Sequence, residues 1–196
     1  MRIRLFTLAA LALPMALAAQ QPAPAGPPVN PITTAFKNAG ARNARLLTTA
    51  FDSIPEAKYG YKPTPAQLSI AHVAVHLEGA NYLLCGLFGP VKRTMTARDS
   101  TADSVRATWP KDTLVSRLKA SFAFCDAAVA TLDDAKLSDQ LPAGPPGSGR
   151  TVVRAQYVLI YVTDLVDHYS QMANYMRLNG LLPPSAYPRG PGRGGE

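Results

Sequence analysis

Asp164-Leu-Val-Asp167-His168-Tyr169-Ser-Gln171-Met-Ala-Asn174-Tyr175-Met-Arg177-Leu-Asn179-Gly180-Leu-Leu-Pro183-Pro184 is the stretch on which the reading of this chain turns. Its apolar residues return at helical intervals, and it stops at a glycine followed by two prolines, the pattern of one long helix with a left-handed cap. Within it Asp164 and His168 stand four residues apart, so a carboxylate and an imidazole share one face about a turn from each other. Helical bundles present metal ligands with this spacing. The only other histidines, His72 and His76, form a second such pair. Two pairs on two helices point to a metal site between them without defining a reaction.

Extended backwards, this last helix is expected from Thr151 to Asn179. On a helical wheel Val158, Val162, Leu165, Val166, Tyr169, Met172, Ala173 and Met176 form its core side. The opposite stripe carries Tyr157, Ile160, Tyr161, Asp164, His168, Gln171 and Tyr175, more aromatic than an ordinary wet face requires. Three further helices are expected. The first runs from Ile32 to Ser53 and closes at Pro55. The second begins at Thr64-Pro65-Ala66-Gln67, with Ser69 as a competing cap, and runs to Phe88. It places His72, His76, Gly79 and Leu83 on one line beside a core side of Ile70, Val73, Leu77, Ala80, Leu84 and Phe88. The third follows Pro110 with Asp112 as N-cap and ends near Asp133. Residues 91–109 read as a long connection holding a short helix, and Leu141 to Gly149 as a Pro/Gly loop. With no persistent period-two segment, the expected fold is all-α: a four-helix bundle over residues 32–184, with a long connection between helices 2 and 3.

The first 18 residues read as a secretory signal: Arg2 and Arg4, an apolar run from Leu5 to Leu17, and Ala16-Leu17-Ala18 as the cleavage site. That run is shorter than the roughly 20 residues a spanning helix needs, and no cysteine follows it to accept a lipid. The expectation is export to the periplasm or the extracellular space, with no membrane association after cleavage. Residues 19–31, rich in Pro, Ala and Gln, read as a disordered leader, and residues 185–196 are expected to form a disordered Pro/Gly/Arg tail. The net charge of +7 falls to +5 without Arg2 and Arg4. The remaining basic residues are scattered, which speaks against nucleic acid as a partner. Cys85 and Cys125 fall in different expected helices among apolar neighbours, and two readings stand: a disulfide in an exported protein, or two buried thiols. Neither cysteine belongs to a C-x-x-C pair, so redox catalysis and thiolate-zinc binding lack support.

Ser69 through Cys85, Ala120 through Ala127, and His168-Tyr169 followed by Tyr175-Met-Arg177-Leu-Asn179-Gly180-Leu-Leu-Pro183-Pro184 resemble the DinB-like superfamily, which includes YfiT-type proteins. The resemblance implies a four-helix bundle holding a divalent metal through one histidine of the second helix and two of the fourth, in metal-dependent hydrolases or thiol-dependent transferases. Carried over, His76 matches the helix-2 ligand and His168 the later helix-4 ligand, while Asp164 stands where the family has its other histidine. Two imidazoles and a carboxylate still make a three-ligand face for Zn, Ni, Fe or Mn, with His72 as reserve ligand. Tyr161, Gln171 and Tyr175 are candidates to orient an unknown small-molecule substrate. No catalytic base stands out, because Glu78 and Asp167 lie off the line of the site. The competing expectation is a non-catalytic helical ligand-binding or structural module that has lost the metal. An apolar groove on such a bundle would also offer a homodimer face.

Overall fold

A computed structural model of the protein describes residues 29–188. The expected signal sequence, most of the expected leader and the last eight residues of the expected tail lie outside the described residues. Five helices, α1 (Pro31–Ser53), α2 (Ile70–Phe88), α3 (Asp103–Arg106), α4 (Lys111–Ala130) and α5 (Arg154–Leu178), make the protein all-α in class. The one sheet among the described residues is a two-stranded hairpin, β1 (Gln140–Pro142) with β2 (Thr151–Val153).

Helix α2 starts at Ile70 and not at Thr64. Ser69 is its N-cap, the Oγ accepting from the His72 N–H at 3.2 Å. Two more first-turn donors are taken by the preceding loop, Ile70 N–H by the Tyr61 carbonyl and Ala71 N–H by the Tyr59 carbonyl. Those bonds fix the loop against the helix end, so the chain cannot be helical further back. In α4 Pro110 occupies the cap position and Asp112 sits inside the first turn, where its charge favours the helix N-terminus. Helix α5 begins three residues later than its periodicity suggests, because Thr151–Val153 pairs antiparallel with Gln140–Pro142. A three-residue strand is too short to show its alternation beside a long helical pattern. At the other end Gly180, at φ 71°, and Leu181 donate to Arg177 and Met176, the paired bonds of a Schellman cap. Beyond it, Pro184–Ala186 forms a 3₁₀ turn, and the Ser185 N–H donates to the Tyr169 hydroxyl at 2.7 Å.

Helices α1, α2, α4 and α5 share one core, in which Leu47, Phe51, Leu77, Phe88, Leu118, Leu165, Met172 and Met176 are fully buried. Val166, assigned to the core side by the wheel, is 47% exposed. Helix α2 is the centre of the packing, in contact with both α4 and α5. Toward α4 it is held covalently: Cys85 and Cys125 form a disulfide, both residues wholly buried. On the same side Glu78, 2% exposed, pairs with Arg106 and with Arg117 at 2.7 Å, and Asp99 pairs with Arg93 and Arg117. These five charges tie the connection between α2 and α4 onto both helices. Arg154, the first residue of α5, bonds the Phe88 carbonyl at the end of α2, the Lys136 carbonyl and Asp139. Among the described residues no helix is long and apolar enough to cross a membrane.

The disulfide closes a segment with a sequence separation of 40, which by chain entropy contributes about 3–4 kcal/mol. The Cys85→Ala/Cys125→Ala double variant is therefore expected to lose about that much in urea unfolding, with helical circular dichroism retained at zero denaturant.

Candidate metal centre

His76 comes from the second turn of α2; Asp164 and His168 come from the middle of α5, one turn apart. The two helices bring together what the sequence separates by about 90 residues. His76 Nε2 lies 3.7 Å from Asp164 Oδ1, and His168 Nε2 lies 3.5 Å from the same oxygen. The two imidazole rings meet edge to face with centroids 4.7 Å apart. One ligand atom from each of the three residues falls within 4.8 Å of the others. The side chains are graded from inside to outside: His168 is 11% exposed, Asp164 24% and His76 45%.

Behind His168 a row of hydrogen bonds determines which nitrogen faces the cluster. The Leu68 carbonyl can only accept, so the Tyr175 hydroxyl donates to it, at 3.1 Å. The Tyr175 oxygen then accepts from the Gln171 amide nitrogen at 3.0 Å, which turns the Gln171 Oε1 toward His168 Nδ1, 2.9 Å away. An amide oxygen can only accept. His168 therefore keeps a proton on Nδ1 and turns Nε2 toward Asp164 and His76, so that in the neutral ring Nε2 is the nitrogen with the free lone pair, the tautomer a metal requires.

The electrostatics follow from the same contacts. Burial alone would raise the Asp164 pKa, but hydrogen bonds and charge from His168 and His76 outweigh it and hold the carboxyl well below the usual carboxylate range. For His168 burial favours the neutral ring, yet Asp164, Gln171 and the charge of Asp167 win and move its pKa up. An ionised oxygen and two imidazole nitrogens converging from two helices fit a divalent ion. The 3.5 and 3.7 Å spacings are close to the roughly 3.4 Å edge of a tetrahedron with bonds near 2.1 Å.

Not every expected residue joins the cluster. His72, one turn before His76 and half-buried, is not among the three converging side chains. Tyr161 turns inward: 3% exposed, it packs on Phe88 and against Gly40 of α1, where an added Cβ would lie 3.3 Å from its ring. Gln171 and Tyr175 stand behind His168, in the row that orients it. Glu78 is taken up by its arginines. The Leu68 carbonyl, a backbone group in a loop, left no trace in residue type. Its role became visible only with the loop folded onto α5.

A mostly helical protein with a three-donor cluster between two helices is the class these features define. The profile of the DinB superfamily matches residues 40–172, and the chain belongs to that superfamily. No curated protein matches it. Among solved structures it is similar to a DinB-like protein from Bacillus cereus, with 17% identity, a TM-score of 0.60, and coverage of 79% of this chain and 97% of that one. A DinB-like protein from Bacillus subtilis is 15% identical at a TM-score of 0.56, covering 74% and 92%. A mycothiol-dependent maleylpyruvate isomerase is 13% identical at a TM-score of 0.55, covering 74% of this chain and 65% of that chain. At these identities the likeness is one of fold.

Two outcomes are expected. Tyr175→Phe removes the hydroxyl that orients Gln171 while keeping the ring, and should weaken zinc binding about tenfold, read by competition with a chelating dye; the His168 ring ¹⁵N shifts should show mixed tautomers. The second concerns pH. The Asp164 carboxyl is depressed, so its contribution to stability is present above the ordinary value of 3.8 and lost as pH falls through the shifted one. That of His168 is present below the ordinary 6.5 and lost as pH rises through the raised value. Metal-free protein should therefore melt at its highest temperature between those limits and decline as pH rises through the raised His168 value. The increase in Tm caused by zinc should grow over the same rise, because the ion displaces a proton from His168.

Proposed function

We propose that this DinB superfamily member is an exported four-helix bundle that binds one divalent metal through His76, Asp164 and His168 and acts on a small substrate by metal-assisted hydrolysis. The observation that carries the reading is the convergence of three ligand atoms from two helices within 4.8 Å, with the Nε2 of His168 turned into the cluster by the row from Leu68. A divalent ion bound there supplies Lewis acidity and lowers the pKa of coordinated water. The chain's own residues do the rest: Asp164 brings the negative charge that favours a cation, Gln171 and Tyr175 hold His168 in register, and exposed His76 stands at the rim where a substrate enters. Three protein donors leave coordination positions open for water or substrate.

Export is supported by the basic and apolar N-terminal segment and by the Cys85–Cys125 disulfide, which persists in an oxidising compartment. A second reading, thiol-dependent transfer, is favoured by the similarity in fold to the mycothiol-dependent isomerase. It requires a thiol co-substrate outside the cytoplasm.

Metal analysis is the deciding experiment. Purified protein should take up one equivalent of Zn, Ni, Fe or Mn, and His76→Ala or His168→Ala should abolish uptake while leaving the helical signal intact. Ester or amide hydrolysis by the metal-loaded protein without thiol supports the first reading, and turnover only with added thiol supports the second. A protein that binds none of these ions and whose Tm ignores them is the non-catalytic module.

A further inference from the structure

Beyond the metal ligands the same two helices contribute to an apolar cleft. Leu83 lies seven residues after His76 on α2, and Tyr157 lies seven residues before Asp164 on α5. Seven residues are almost two turns, so each follows its metal ligand on the same line of its helix, displaced by about 10 Å along the axis. Because the helices run antiparallel, both displacements point the same way, and Leu83 and Tyr157 line one cleft of about 580 Å³ with Leu87, Pro142, Pro145 and Arg150. That volume is in the range of small-molecule sites.

Between the metal ligands and the cleft, Gly79 stands on α2 and Ile160 on α5. Gly79, one turn beyond His76, has nothing within 4 Å of where a Cβ would be. Opposite it on α5, Ile160 is 40% exposed, and further along Leu83 is 63% and Leu87 37% exposed. The far wall is the β1–β2 loop, held over the leucines by the Tyr157 hydroxyl, which donates to the Pro142 carbonyl at 2.8 Å. Arg150, at the exposed rim, is the only charged residue lining the cleft.

We propose that the substrate is an acyl compound, its carbonyl end at His76, Asp164 and His168 and its unbranched alkyl chain along Gly79 and Ile160 into the cleft of Leu83, Leu87 and Tyr157. The head-group half rests on the metal reading above. The chain half rests on the cleft alone, and the two are tested separately.

Zinc-loaded protein is titrated with straight-chain hydroxamates from acetohydroxamate to decanohydroxamate. Each methylene that enters the cleft is expected to tighten binding about three- to fourfold, levelling off once the cleft is filled. In Leu83→Ser/Leu87→Ser this dependence should flatten with acetohydroxamate affinity unchanged; both leucines are exposed, so the fold should stand. Affinity independent of chain length, or a slope that survives the double variant, overturns the proposal. In metal-free protein, 1-decanol should displace a fluorescent apolar probe, and the double variant should abolish this. Zinc uptake with no displacement overturns the acyl chain and leaves the metal reading intact, whereas displacement without zinc uptake overturns the metal reading alone. A concentration-dependent dimer that the double variant dissolves also overturns the proposal, because the face would then belong to a second copy.

Discussion

Helix α2 has to be held at a fixed height and rotation, and the rest of the molecule depends on how that is done. One of its flanks is fastened to α4 by a disulfide and by the Glu78 cluster; the other must present His76 to α5. Drawing five charged groups wholly or partly out of water costs desolvation that is offset because each carboxylate meets more than one guanidinium. Once made, such a network has few equivalent arrangements, so it fixes the helix where an apolar contact would let it slide. The guanidiniums of Arg93 over Tyr82, and of Arg106 and Arg117 near Trp109, extend the same restraint into the surrounding aromatic packing.

With α2 immobile, the site on its other flank can be built from few residues. Asp164 and His168 need only the regularity of α5, and the His168 tautomer needs only three groups behind it. The grading of exposure from His168 to His76 gives the cluster an inner wall and an open side. That arrangement suits a centre that binds an ion firmly and leaves it reachable. The superfamily assignment accounts for the fold, and Asp164 distinguishes this member by placing a hard oxygen donor where the resemblance leads one to expect a second imidazole on that helix.

Much of this was legible in the residues. The Gly180-Pro183-Pro184 terminus and the amphipathic runs gave the four long helices, because helical periodicity is a local property; the two i, i+4 pairs offered His72 or His76 beside Asp164 and His168, and the family resemblance singled out His76. What escaped was non-local. The start of α2 was decided by Tyr59 and Tyr61 reaching over its first amides, not by Thr64 and Pro65. The start of α5 was decided by pairing with Gln140–Pro142. Tyr161 and Tyr175 fell on the polar stripe of the wheel, yet both are buried, because α5 is surrounded on more sides than a single-stripe helix. The role of Glu78 was visible only negatively: it lay off the line of the site, but nothing in the sequence told that Arg93, Arg106 and Arg117 would meet it.

Arg154 deserves a different reading from its place at the edge of the fold. Its guanidinium joins the last carbonyl of α2 to the chain just before β1, so it marks the point from which the residues of α5 are counted against those of α2. A slip of one residue there would carry Asp164 about 1.5 Å along the axis and about 100° around it, out of reach of His76. The alignment of the two halves of the centre is thus inherited from an anchor nearly three turns away. Insertions in the hairpin loop before that anchor can lengthen or reshape the mouth of the groove without disturbing the ligands, whereas a single residue added after it would dismantle them.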